Sequence, residues 1–149
     1  MSSRLARAMT SSRPMTGTRR ALVAGAIYFA AVFAAGFVLG VLRTLFVAPV
    51  LGPMGAVMVE LPLILTLAWI VSARILRRRL LRGTEAIVMG ASAFTLLMLA
   101  EAGVSVGLGG RSLAQHLALY AEAPHLLGLA GQLAFACIPA LQTRLGADA

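Results

Sequence analysis

The sequence predicts an all-α integral membrane protein, a four-helix bundle with both termini in the cytoplasm, and three observations carry that prediction. Of 149 residues, 60% are hydrophobic and only 12% charged, a balance far too apolar for a soluble domain of this size. Four stretches, residues 21–42, 55–76, 84–106 and 124–141, stay apolar over about the 20 residues that a helix needs to cross the hydrocarbon of a bilayer. All 13 basic residues are arginine, and they fall almost wholly on one side of the alternation those stretches define.

Arg4, Arg7, Arg13, Arg19 and Arg20 precede the first stretch. Arg74, Arg77, Arg78, Arg79 and Arg82 surround the turn between the second and third, and Arg144 follows the fourth. Only Arg43 and Arg111 lie on the other side, and this eleven-to-two split orients both ends of the chain inward, because guanidinium groups resist passage across lipid. In a soluble protein a formal charge of +8 would point to nucleic acid. Here the charge flanks apolar runs, so the expected partner is the lipid bilayer and its anionic headgroups at the cytoplasmic face, with no nucleic acid.

The elements follow in order. Residues 1–20 form an Arg-, Ser- and Thr-rich head without an apolar face, expected to be flexible. Its arginines, and those of "RILRRRLLRG" at Arg74 to Gly83, each contribute about 1 kcal/mol near an anionic surface. "TRRALV" is superficially like a twin-arginine export signal, but the apolar run behind it is too long for a signal-peptide core, and an uncleaved first helix is the better reading. The membrane domain occupies residues 21–142, and residues 143–149 form a short cytoplasmic tail. No soluble catalytic domain fits within these bounds.

The first helix carries Gly25, Gly36 and Gly40. "GFVLG", with Gly36 and Gly40 four apart, has the small-residue spacing that lets membrane helices approach closely, inside the bundle or across a homo-oligomer seam. The third helix has a similar face in Ala86, Gly90 and Ala93. Between the third and fourth helices, "RSLAQHLALYAEA" sets Leu113, Leu117 and Tyr120 at helical spacing, as expected of a short amphipathic helix on the outer surface. Cys137 is a lone cysteine in a span, read as a small packing residue.

"VELPLILTLAW" from Val59 and "AEAPHLLGLAG" from Ala121 repeat a Glu-x-Pro phrase. Aligning Glu60 with Glu122 pairs Pro62 with Pro124, which admits two duplicated helical hairpins related by an axis along the membrane normal. The phrase also suits a helix start, with a carboxylate at the positive end of the dipole and proline where no intrahelical hydrogen bond is lost.

Topology gathers Arg43, Glu60, Glu101, Glu122 and His125 into a polar layer near the outer face. An ionised Glu101 facing lipid costs about 2.5–3.5 kcal/mol even on lenient insertion scales, so it must face the bundle. Arg43 is its expected partner, with Glu60 competing for the same donors. The layer serves either as a hydrogen-bonded lock or as a relay for protons or cations. His116 and His125 have no metal-ligand spacing, and no catalytic triad, phosphate loop or cofactor motif occurs; neither cofactor nor metal is expected.

"FAAGFVLGVLR", "MVELPLILTLAW" and "LLGLAGQLAFACIPALQ" resemble a family of small four-span bacterial inner-membrane proteins to which no activity is assigned. The resemblance covers most of the chain beyond the head. It implies a multi-pass protein of the bacterial inner membrane and supplies no catalytic residues. Small multidrug exporters are similar in having four short spans and an embedded glutamate, but their key acid lies in the first span, and residues 21–42 contain none. The expected function is a non-enzymatic accessory or structural component of a membrane assembly, with a membrane-protein partner or a second copy of the chain as its contact. The alternative is a small proton- or cation-coupled transporter using the outer Arg/Glu layer.

Overall fold

The computed structural model describes residues 17–146. The head arginines Arg4, Arg7 and Arg13, and residues 147–149 of the expected tail, lie outside the described residues. Helix α1 (Gly17–Leu42) continues through one π-helical turn (Arg43–Val47) into α2 (Ala48–Arg79). Then come α3 (Thr84–Gly107), a short α4 (Leu113–Ala118), a 3-10 turn (Leu119–Ala121) and α5 (Ala123–Leu145). No strand occurs among the described residues.

Three helical stretches, Gly17–Arg79, Thr84–Gly107 and Ala123–Leu145, are long and apolar enough to cross a membrane. The first is doubled back on itself. At Gly52 the backbone takes φ 72° and ψ 169°, a region open to glycine because it lacks a Cβ. Pro53 follows, its missing N–H and fixed φ suited to the first position of a new helix. Arg43 then meets Glu60, and Gly36 faces Ile64, so the two arms run antiparallel about Gly52. Where the sequence predicts a loop between residues 42 and 55, helix persists on both sides and one glycine makes the reversal.

Glu60 therefore lies about two turns beyond Pro53 rather than in a first turn. Glu122 is the N-cap of α5, with Pro124 in its first turn. Glu-x-Pro marks a helix start in α5 only, and the two copies are not structurally equivalent.

At the other end, the turn between α2 and α3 holds Leu80 in the left-handed region at φ 53° and Gly83 at φ 52°. Leu81 is thereby tucked under the bundle, 2% exposed. Arg20 pairs with Glu85 at 3.2 Å, joining the starts of α1 and α3.

Helices α1 and α3 pack side by side in the same direction, as do α2 and α5, while the arms within each hairpin are antiparallel. A two-fold axis along the bundle would let only one pair of equivalent helices meet across a short diagonal. Here both pairs meet, so the hairpins stand side by side and the expected two-fold relation does not hold.

The outside of the bundle is strewn with exposed Leu, Val, Ile and Phe, among them Leu22, Val38, Leu63 and Leu99, which with the long apolar helices marks a membrane protein. Between lipid-embedded helices the hydrophobic effect offers little, and close approach at small residues takes its place. Three glycines provide it. A Cβ at Gly25 would run into Ser92 and the Met89 carbonyl and one at Gly90 into the Ala136 carbonyl, while Gly131 makes room for the end of the Leu61 side chain. The closest packing surrounds Ala24, Tyr28, Met89 and Ala93, all fully buried, in the half that carries the chain ends.

Tyr28 is the keystone of that half. Pro139 has no N–H, so the carbonyl of Phe135 one turn back loses its helical donor. The Tyr28 hydroxyl donates to that carbonyl at 3.1 Å, while its ring stacks on Phe135 with centroids 4.3 Å apart. Tyr28→Phe keeps the stack but leaves the carbonyl orphaned, and is expected to cost about 1–3 kcal/mol. The loss is to be read as a lower midpoint in reversible detergent unfolding, and an unchanged midpoint would refute the assignment.

Candidate functional site

Past Ala93, α3 has no buried residue, and the helices leave a space between them. The space between them is a cavity of about 830 Å³ lined by α1, α2, α3 and α5, with residues of α4 and the 3-10 turn completing its far wall. Its apolar part is formed by Phe29, Val32, Leu97 and Phe135, the last of which also stacks on Tyr28. Arg43, Glu60, Glu101, His116, Tyr120 and Gln132 make its other part polar.

Each polar residue is placed by a local feature of its helix. Arg43 opens the π turn, whose extra residue rotates the side chains that follow. Its Nε lies 3.1 Å from Glu60 Oε2, closing an ion pair between the two arms of the first hairpin. The Thr44 hydroxyl donates to the Gly40 carbonyl at 2.8 Å. Across the second hairpin, Gln132 Nε2 donates to Glu101 Oε1. The acid expected to compete for Arg43 is thus the one that holds it, while Glu101 is served by an amide.

Glu122 and His125 lie on the exposed rim, Nδ1 of the histidine 3.3 Å from the carboxylate. Only His125 of the two lines the cavity. The short α4 begins with a capping box in which Ser112 Oγ accepts from the Gln115 amide and Gln115 Oε1 accepts from that of Ser112. Its leucines point out of the bundle, Leu113 and Leu117 both 58% exposed, while His116 on the other side is buried at 8%. His116 stands edge-on to Tyr120. Partial burial, then the nearby charge of Glu101, push the Tyr120 phenol above its usual range.

Three buried polar atoms around the cavity have no protein partner: Ser105 Oγ, His116 Nδ1 and Gln132 Oε1. Gln132 and Ser105 escaped the sequence reading, which followed charges. A glutamine inside an apolar span was the available signal, since a side-chain amide there must find a partner.

Gly36 and Gly40 do not close-pack within the chain. A Cβ on Gly36 would make an ordinary 3.6 Å contact with Ile64, and one on Gly40 would meet nothing within 4 Å. Both line the cavity, so the small residues of "GFVLG" leave volume there instead of drawing helices together. Cys137 is exposed on the bundle surface rather than packed in the core. Among the described residues no group of three His, Cys, Asp or Glu side chains is placed to hold a metal ion.

Fold and site together define a helical membrane protein with a cavity confined to one half of its bundle. No family model, curated protein or solved structure matches the chain.

Proposed function

We propose that the chain is a four-span protein of a bacterial inner membrane, both termini cytoplasmic, that presents a ligand-binding vestibule to the outer side and works as a small carrier or its binding component. The observation that carries this reading is the asymmetry of the bundle. A packing lock fills its space, because protein interiors are close-packed with few voids larger than a water molecule. A cavity of about 830 Å³ ringed by Arg43, Glu60, Glu101 and Gln132 is instead the size and polarity of a ligand site. The termini half, sealed around Tyr28 and Met89, argues against an open channel.

The arginine bias supports the orientation, and the fold-back at Gly52 supports counting the first long stretch as two crossings. The accessory role is favoured by one observation of its own: Arg43–Glu60 and Gln132–Glu101 each tie two helices together, as a scaffold requires.

Single-cysteine labelling tests orientation and vestibule together. With Cys137→Ser as background, Gly128→Cys puts a thiol on the cavity wall where a Cβ meets nothing within 4 Å. Ala93→Cys puts one in the sealed half. A membrane-impermeant maleimide added outside intact cells is expected to modify the first and spare the second. Modification of Gly128→Cys only from inverted vesicles overturns the orientation, and protection from both sides overturns the vestibule. Proteoliposome flux that falls with Glu101→Gln separates a carrier from a scaffold, whose flux is nil in both.

A further inference from the structure

We propose that the cavity takes an amphiphilic organic amine, its ammonium group donating to the Glu101 carboxylate and its apolar body lying on the Phe29 and Phe135 floor. The inference rests on the cavity being a ligand site and adds the chemistry that site selects. Arg43 is engaged by Glu60 at 3.1 Å. Glu101 has no cation within ion-pair distance and is met by a neutral amide. Arg43 from the π turn, His116 from α4 and His125 from α5 also face it, but none closes an ion pair with it.

Gln132 spends its N–H on Glu101, which leaves Oε1 buried, unpartnered and able only to accept. Turning the amide round would set oxygen against the carboxylate, so the network dictates this orientation. Ser105 Oγ and His116 Nδ1 on the same cavity are likewise without partners, and His116 is more than nine-tenths buried. The Glu101 carboxylate on this lining is a charged acceptor, and the Gln132 amide oxygen and Ser105 hydroxyl lie buried behind it on residues of the same cavity wall. An ammonium brings donors and the charge that Glu101 lacks, whereas an anion finds its nearest guanidinium already occupied. Arg111, the other cation on the lining, is exposed and screened by solvent.

The other half of the cavity decides what the amine is attached to. Phe29, Phe33, Phe135, Val32 and Leu97 offer apolar and aromatic surface, which stabilises a hydrocarbon or ring system and, through ring faces, a nearby cation. A small inorganic cation would use none of it.

The test uses the full chain in phosphatidylcholine nanodiscs, with empty nanodiscs as baseline. Isothermal titration compares 2-naphthylmethylamine with its neutral counterpart 2-naphthylmethanol. The amine is expected to bind about tenfold or more tightly, the worth of one charge-assisted hydrogen bond. Glu101→Gln is expected to bring the amine and the alcohol to within about twofold of one another, because the charge that favours the ammonium is gone. Gly128→Leu, which fills open cavity space, is expected to abolish both and keeps the test sound should the Glu101 variant fail to fold. Equal binding of amine and alcohol to the wild type overturns the amine assignment and leaves the vestibule standing. Binding of neither ligand to protein that unfolds cooperatively overturns both.

Discussion

Gly90→Val is expected to force α3 away from α5 and to destabilise the protein by about 3 kcal/mol, the upper end of what overpacking costs. A Cβ at this position meets the backbone oxygen of Ala136, with Pro139 Cδ 3.6 Å away. Neither is the free end of a flexible side chain that can turn aside. Relief requires α5 to move, and α5 is tethered there by the bond from Tyr28 to the Phe135 carbonyl. The informative control is Gly40→Ala on the cavity wall, where nothing lies within 4 Å. That change removes only the backbone entropy of a helical glycine and is expected to stabilise by about 0.5–1 kcal/mol. Reversible detergent unfolding followed by helical circular dichroism should resolve two shifts of opposite sign. Equal shifts would mean that the two glycines share one role, against the division between packing and cavity described above.

Arg43→Ala is expected to cost about 2–3 kcal/mol. Removing one partner of a fully buried ion pair costs about 3–5 kcal/mol because the other charge is left stranded, and exposed pairs contribute about 0–1 kcal/mol. The Arg43 side chain is 37% exposed and that of Glu60 17%, so the pair falls between these limits, nearer the buried one. The double variant Arg43→Met with Glu60→Met is expected to return to within about 1 kcal/mol of the wild type, since replacing both charges strands neither. A double variant as unstable as the single one would show that the damage is lost packing of the arginine stem rather than an unpaired carboxylate.

The two hairpins show how unevenly the sequence spoke. Apolar stretches announced the helices, and "RRRLLRG" announced the turn after α2, because composition and charge are local properties that lipid and water sort directly. The Gly-Pro pair of "LGPMG" marks a break near Gly52 but does not say that helix resumes at the next residue. Charge locates Arg43, Glu60 and Glu101 in the polar layer and passes over Gln132 and Ser105. His116 was legible as part of a short helix. Which side of that helix turns inward depends on α3 and α5, to which it is tied by short connections.

What the sequence by itself determined is the all-helical, lipid-compatible character of the chain and the crowding of guanidinium groups beside three of its apolar borders. These follow from residue type and order alone. The tertiary structure decided which glycines draw helices together and which leave a hollow, that Glu60 and not Glu101 holds Arg43, and that the hollow occupies one half only. Such outcomes depend on register between helices far apart in the chain. A single backbone reversal at Gly52 and a hydroxyl seated on a carbonyl that proline deprived of its donor set that register, and no count of residues along the chain contains it.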